Sequence, residues 1–258
     1  MIELVGVSRR FGRDGPWAVR DVTLAVGRRE LLAVLGESGS GKTTLVKMIN
    51  RLVEPDGGAV RVDGKDVRAH DIVALRRTIG YVIQSAGLFP HRTVGENVGV
   101  VPRLLGWSPA NVAARTDELL GLVGLPPAEY RDRYPDQLSG GQRQRAGVAR
   151  ALAARPEVLL LDEPFGALDP ITRVALQGEL RRLHDELELT TVMVTHDLIE
   201  ALTLADRIAV MCGGELRQVG TPAELMTAPA DAYVAKLMAM VRHQADALHG
   251  LGARGDAP

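Results

Sequence analysis

Leu31–Leu35 (LLAVL) runs directly into Gly36–Thr44 (GESGSGKTT), and a helix-like pattern continues over Lys42–Val53. Consecutive apolar residues predict a strand buried on both faces, the habit of a parallel sheet covered by helices. The loop that follows matches G-x-x-x-x-G-K-[ST]. Its glycines, Gly36, Gly39 and Gly41, let successive backbone N–H groups turn inward and cradle phosphate oxygens, with Glu37, Ser38, Ser40 and Thr44 completing the cradle. In such a loop Lys42 reaches the β- and γ-phosphates, and the Thr43 hydroxyl takes a place on Mg²⁺. The glycine spacing is wrong for G-x-G-x-x-G, so a dinucleotide-binding turn is disfavoured.

The same alternation of strand and helix extends along the chain. Val158–Leu161 (VLLL) and Thr191–Thr195 (TVMVT) read as buried strands. Asp197–Ala205 reads as a helix, with Asp197 near its N-terminus where an acid is favoured. Leu4–Val7, Val22–Val26 and Ala59–Val62 alternate more weakly and predict antiparallel strands beside the main sheet. Residues 85–156 are mostly helical in pattern, clearest over Pro109–Val123 and Gly141–Ala154, which predicts a helical subdomain inserted into an α/β core. Residues 222–248 read as two or three short helices, and Gly250–Pro258 (GLGARGDAP) as a frayed tail.

Composition narrows the function. The 258 residues fit one large domain or two small ones. With 31 Lys+Arg against 32 Asp+Glu, no basic excess is available for bulk attraction to nucleic acid. Aromatic residues, at 3%, are too few for a base-stacking platform. Cys212 stands alone, which excludes an intramolecular disulfide and a cysteine-rich zinc site. It has no nearby basic cluster or helix start and reads as a core residue. No apolar run approaches the ~18–20 residues that span a bilayer. Met1-Ile2-Glu3-Leu4 opens no charged-then-apolar signal peptide. These features predict a soluble protein of a reducing compartment.

Two further stretches carry chemistry. Val158–Asp162 is an apolar run ending in a carboxylate, and Glu163 follows. A buried strand delivers its last acid to the crevice where open α/β sheets bind ligands. There Asp162 would hold Mg²⁺ through water and Glu163 would polarise an attacking water as general base. Taken alone, the string also reads as a strand end with two solvated acids. Leu138-Ser139-Gly140-Gly141-Gln142 opens another helix with a hydroxyl, glycines and free N–H groups. It suits a second anion, or an ordinary serine cap.

The phosphate loop, LSGGQ at 138–142, LLLDEP at 159–164 and VTH at 194–196 stand in the order and approximate spacing of the ATP-binding cassette ATPases. The chain resembles that family over roughly residues 1–225, leaving 226–258 as a short C-terminal helical extension. The resemblance implies an α/β fold: a P-loop NTPase core with a mostly parallel sheet, an antiparallel β subdomain and the inserted helical subdomain at about 85–156. It implies ATP and Mg²⁺ as ligands, and two cassettes paired head to tail as a homodimer. Each ATP then lies between one phosphate loop and the partner's LSGGQ, so Ser139 and Gly141 would clamp the γ-phosphate in trans. By position, Phe11 resembles the family's adenine-stacking aromatic, with Trp17 a second candidate and plain core packing the alternative. Gln84, after Gly80-Tyr81-Val82-Ile83, resembles the glutamine that touches Mg²⁺ and the attacking water. His196 resembles the γ-phosphate histidine. Asp169, in Ala167-Leu168-Asp169, resembles the loop that crosses to the partner, and Tyr134-Pro135 the loop that holds the signature element.

Two strings, IGYVIQSAGLFPHRTVGENV (79–98) and PDQLSGGQRQRAGVARALAARPEVLLLDEPFGALDPITR (135–173), are similar to the ATPase subunits of osmoprotectant importers. That similarity implies an ATP-hydrolysing subunit powering import of a quaternary amine such as glycine betaine or choline. Its partners would be integral-membrane permease subunits and an extracytoplasmic substrate-binding protein, with no nucleic acid. Its place would be peripheral, on the cytoplasmic face of the cell membrane. Ala86–Pro90 (AGLFP) would meet a coupling helix of the permease, with Leu88 and Phe89 as an exposed apolar patch beside Gln84. The alternative there is a buried subdomain hinge. Many relatives carry paired sensing modules after the cassette, for which a chain ending at Pro258 leaves no room. Arg143 stands where the family often has Gln. The rival readings are an ATPase subunit for another substrate, including an exporter, and a cassette without a membrane partner. The latter wants a coiled-coil insert, fused cassettes or basic extensions. A silent scaffold is opposed by Glu163, His196 and Lys42.

Overall fold

A computed structural model describes residues 1–12, 15–166 and 168–255, with side chains described as far as residue 243. Half-buried alternation forms the first strands: Ile2, Leu4 and Val7 of β1 (Ile2–Arg10) and Val19, Val22, Leu24 and Val26 of β2 (Trp17–Val26) face inward. β3 (Leu31–Leu35) is buried at every position and ends at the phosphate loop, from which α1 (Lys42–Ile49) departs. With β4 (Gly57–Val62) and β5 (Lys65–Asp66), the first two strands make an antiparallel sheet of order β2-β1-β4-β5.

After α2 (Ile72–Thr78), β6 (Ile79–Val82) enters a second sheet. Every helix from there to the next strand belongs to the region read as an inserted subdomain: α3 (Val94–Val98), α4 (Val100–Leu104), α5 (Pro109–Leu122), α6 (Pro127–Tyr130) and α7 (Gly140–Leu152). The chain then alternates through β7 (Val158–Asp162), α8 (Pro170–Glu186), β8 (Thr190–Thr195), α9 (Leu198–Leu204) and β9 (Arg207–Cys212). It closes with β10 (Glu215–Gly220), α10 (Pro222–Thr227) and α11 (Ala232–Gly255). The second sheet has order β10-β9-β3-β8-β7-β6, parallel throughout except for the β9–β10 hairpin.

Its strands are buried on both faces because alternate residues serve two apolar clusters. Leu31, Ala33 and Leu35 join Leu159, Leu161 and Met193 on one side, and Leu32 and Val34 join Leu160, Val192 and Val194 on the other. Register places the site: Leu35 pairs with Thr195, and Asp162 with Val194. The phosphate loop, Glu163 and His196 therefore leave the sheet side by side at the carboxyl ends of adjacent strands. Among the described residues no helix is long and apolar enough to cross a membrane.

Three expectations change. The helix predicted over Lys42–Val53 stops at Ile49, because Arg51 turns left-handed (φ 55°) and Arg76 takes the freed carbonyls of Asn50 and Arg51. The hairpin β9–β10, with Gly213 and Gly214 at positive φ in its turn, was not predicted. The short helices expected over 222–248 are α10 followed by one long helix, α11, which carries through Gly250 to Gly255 rather than fraying from Gly250. Asp231 opens this region by accepting the Val234 N–H at 2.9 Å, and no proline interrupts it. Residues 256–258 lie outside the described residues.

Candidate functional site

Two glycines of the loop are dictated by close approach. A Cβ at Gly41, where φ is 99°, would strike the Ala18 carbonyl, and one at Gly36 would strike the Met211 carbonyl. No side chain caps α1, so its first N–H groups face the loop's concavity. Lys42 is only 5% exposed and folds back so that Nζ donates to the carbonyls of Gly36 and Glu37, both at 2.7 Å. Burial lowers its pKa, against the opposing pull of Glu163, Asp162 and Glu37. The Ser40 hydroxyl is buried without a partner. A cradle that excludes Cβ atoms, a buried ammonium and an orphaned hydroxyl suit an incoming phosphate chain.

Across the loop stand two acids. Asp162 is buried and accepts the Thr43 hydroxyl at 2.8 Å and the Tyr81 hydroxyl at 3.4 Å. Burial first, and the Asp162 charge second, push the Tyr81 hydroxyl well above the usual phenol range. Nothing in the sequence around Gln84 marks Tyr81 for this role. Its place on β6, opposite Leu160 of β7, is what aims it at Asp162. Glu163 adopts a left-handed backbone (φ 48°) while its N–H donates to the Val194 carbonyl at 3.0 Å. That strained turn leads the chain off the strand at the cleft. One Glu163 oxygen accepts Gln84 Nε2 at 2.8 Å, and the other lies 3.3 Å from His196 Nδ1. Hard oxygen donors from Thr43, Asp162 and Gln84 suit Mg²⁺. No group of three or more His, Cys, Asp or Glu forms a metal cage among the described residues. Mg²⁺ ordinarily relies on one or two carboxylates plus phosphate oxygens, so the donor set fits it. Lys42, Thr43, Thr44, Glu37, Gln84, Glu163 and His196 all line one open cleft of about 790 Å³.

Other predicted residues lie outside that cleft. Phe11 is 56% exposed and Trp17 38%, each under an arginine (Arg9 and Arg10) at 5.1 Å, so core packing does not apply to either. Ser139 and Gly141 open α7 on a different surface. Ser139 Oγ accepts the Gln142 N–H at 3.2 Å, Gln142 Oε1 accepts the Ser139 N–H at 2.9 Å, and Gln142 Nε2 reaches the Tyr130 hydroxyl at 3.0 Å. The serine is thus a helix cap in this chain, with its side chain at the surface. Arg143, which the sequence left unread, donates to the carbonyls of Leu138 (2.7 Å) and Pro135 (3.4 Å) and braces the turn before the cap. Asp169 caps α8 through the Thr172 N–H at 3.0 Å, and bonding from Thr172 holds its carboxyl below the usual range. Ala167 beside it lies outside the described residues.

The apolar patch expected at Ala86–Pro90 is corrected in part. Ala86 is 2% exposed and Leu88 packs against the core, because Arg150 draws in the carbonyls of Ala86 (2.7 Å) and Gly87 (2.6 Å). The exposed apolar side chains there are Phe89 and Ile83. Asn97, fully buried and unforeseen, pins the loop by accepting the Phe89 N–H at 2.7 Å and donating to the carbonyls of Phe89, Arg92 and Thr93. Cys212 is half-buried at the end of β9 rather than a core residue.

Residues 19–166 match the family described as ABC transporter. The chain is 50% identical over 242 residues to the choline transport ATP-binding protein OpuBA of Bacillus subtilis (strain 168), covering 94% of this chain and 63% of that protein. It is 52% identical over 234 residues to the glycine betaine uptake system ATP-binding protein YehX of Escherichia coli (strain K12), covering 91% of this chain and 75% of that protein. Among solved structures it is similar, at 33% identity and a TM-score of 0.78, to the dimeric post-hydrolysis state of the ATP-binding cassette MJ0796 bound to ADP and Pi. That match covers 86% of this chain and 99% of the other. The chain thus spans under two thirds of the choline transport relative's length.

Proposed function

The chain belongs to the ABC transporter family, and from that premise we propose that it is the ATP-hydrolysing subunit of an importer for a small osmoprotectant, a quaternary amine such as glycine betaine or choline. The observation that carries the reading is a single carboxylate, Glu163, holding Gln84 and His196 in the cleft that contains Lys42. The phosphates of ATP would lie against the N–H groups of Gly36–Thr44, with the Lys42 ammonium turned from its carbonyls toward them. Phe11 is free to stack on the adenine. Mg²⁺, held by Thr43, Gln84 and, through water, Asp162, would neutralise phosphate charge.

Glu163 takes a proton from the attacking water, whose oxygen bonds to the γ-phosphorus while the bond to the β–γ bridging oxygen breaks. ADP and phosphate are the products. Gln84 orients the water, and His196 faces the γ-phosphate. Ser139 and Gly141 of a second copy complete the site from the other side, and the loop at Asp169 crosses with them. A permease docks on the face that carries Ile83 and Phe89, two residues with exposed apolar side chains, the first immediately before Gln84 and the second after it in the same loop. The subunit acts at the cytoplasmic face of the membrane, with residues 1–225 as the cassette, about 85–156 as its helical subdomain, and 226–258 as an extension. Transport requires ATP to bind the closed pair better than the open one, since affinity common to both states shifts nothing. The quaternary-amine class is supported by the choline and glycine betaine relatives. In this scheme the transported solute never touches the chain.

The test is uptake of labelled glycine betaine and choline in cells lacking the gene, complemented with wild type or Glu163→Gln. Rescue by wild type alone supports ATP coupling and the substrate class together. Purified Glu163→Gln is expected to lose ~10²–10⁴ in turnover, the usual effect of removing a general base. Near-normal hydrolysis would sink the assignment of Glu163. Uptake indifferent to the gene would instead remove the quaternary amine.

A further inference from the structure

Behind His196 lies a buried polar network that the reaction above does not use. Glu200, on α9, is 6% exposed, and its Oε2 accepts the Thr195 hydroxyl at 2.6 Å. The same Thr195 Oγ1 accepts the Asp197 N–H at 2.9 Å. One hydroxyl therefore bridges the residues on either side of His196 and fixes the backbone from which the imidazole reaches Glu163. Asp197 adds to this by accepting the N–H groups of Ile199 and Glu200 at 2.9 and 3.1 Å.

The other side of Glu200 faces α8. Gln177 Nε2 donates to its Oε1 at 3.3 Å. Arg173 lies 3.9 Å from Glu200 and 3.6 Å from Asp197, beyond hydrogen-bond length in both cases, and its Nε is buried without a partner. Its Nη2 meanwhile reaches the Leu168 carbonyl at 3.4 Å, immediately before the Asp169 cap. A buried carboxylate and a guanidinium nitrogen buried without a partner are both costly. An apolar pair would hold α8 and α9 together without either. A small approach of α8 would bring Arg173 within hydrogen-bond reach of both acids.

We propose that Glu200, acting through Thr195, is a positioning residue for His196, and that Arg173 and Gln177 tie this position to the start of α8. Engagement of the Asp169 loop by a second copy and correct placement of His196 then rise together. This deepens the ATPase reading and rests on it.

The test uses the full chain. Thr195→Val keeps the shape and removes the bridge. At saturating ATP its kcat is expected to fall at least tenfold, with KM for ATP changed less than twofold. In a His196→Ala background the same substitution is expected to lower kcat less than twofold, because its target is already gone. Equal losses in both backgrounds, or a kcat within twofold of wild type, would overturn the proposal. Arg173→Met, half-exposed and safe for folding, carries the same expectation if Thr195→Val folds poorly. A second arm needs no hydrolysis: the His196 Cε1–H signal, assigned by its loss in His196→Ala, shifts in nucleotide-free Thr195→Val and Glu200→Gln. A signal unmoved in both overturns the inference by itself. A wild-type chain that hydrolyses no ATP overturns the ATPase reading instead.

Discussion

Lys42 shows how one residue carries opposed demands. Burial disfavours its charge, while the carbonyls of Gly36 and Glu37 and three nearby carboxylates favour it, and burial wins. The folded pKa therefore lies below the ordinary 10.5. Between those two values the unfolded chain holds a proton that the folded chain has released, so stability rises with pH across that window. The unfolding free energy of wild type, measured against Lys42→Met by urea titration, is expected to shift in favour of wild type as pH rises toward 10.5. A difference that stays flat would show that the ammonium is not strained by burial. The same variant should lose the thermal shift given by saturating ATP, worth ~2.7 kcal/mol at 100 times the dissociation constant. That Lys42 and Thr43 leave one buried strand and Asp162 and Glu163 another is legible in the sequence, because each apolar run and what ends it is a local pattern. Tyr81 and the left-handed turn at Glu163 are not, since both depend on which strand lies alongside.

At the scale of elements, the loop between β6 and α3 is held from two sides. Asn97 makes four hydrogen bonds to its backbone, and Arg150 takes two of its carbonyls. Asn97→Ala would take a partner from the Phe89 N–H and the Arg92 carbonyl, while the Phe89 and Thr93 carbonyls keep the N–H groups of Arg92 and of residue 97; a buried polar group left unsatisfied costs ~1–3 kcal/mol. A destabilisation of at least that size is expected in equilibrium unfolding. Because the loop presents Phe89 beside the residues leading to Gln84, uptake should fall more than ATP binding does. A variant as stable as wild type would show that the loop needs no anchor. The sequence pattern names α5 and α7 of this region but neither α3, α4 and α6 nor the burial of Ala86, which comes from Arg150 and from close packing on Gly147. Neither contact leaves a trace in local periodicity. The β9–β10 hairpin was missed for a related reason: β10 is only half-buried, so its pattern is weak despite the Gly213-Gly214 turn. The run of α11 is likewise set by the absence of a breaker more than by any positive signal.

At the scale of the molecule, parallel strand order gathers the phosphate loop, Glu163 and His196 at one edge of the sheet, yet leaves Ser139 and Gly141 opening α7 outside that cleft. One chain thus presents two glycine-containing helix N-termini, at Lys42 and at Gly140, only the first of which lies in the cleft. The head-to-tail pair proposed above would join them, since a two-fold axis makes each contact twice from the same two patches. The expected outcome concerns chains in which hydrolysis is blocked. Glu163→Gln with ATP and Mg²⁺ should sediment as a dimer, and as a monomer without nucleotide. Adding Ser139→Arg should abolish the dimer while the ATP-induced thermal shift of the dilute chain persists, because Ser139 belongs to the other copy's site. Loss of the helix cap would lower stability by ~0.5–2 kcal/mol, too little to unfold a domain of this size. If Ser139→Arg instead removed the thermal shift as fully as Lys42→Met, Ser139 would have to contact nucleotide within its own chain. A dimer that survived the substitution would take Ser139 out of the interface altogether. Only a dimer lost with binding retained fits two half-sites that a second copy must complete.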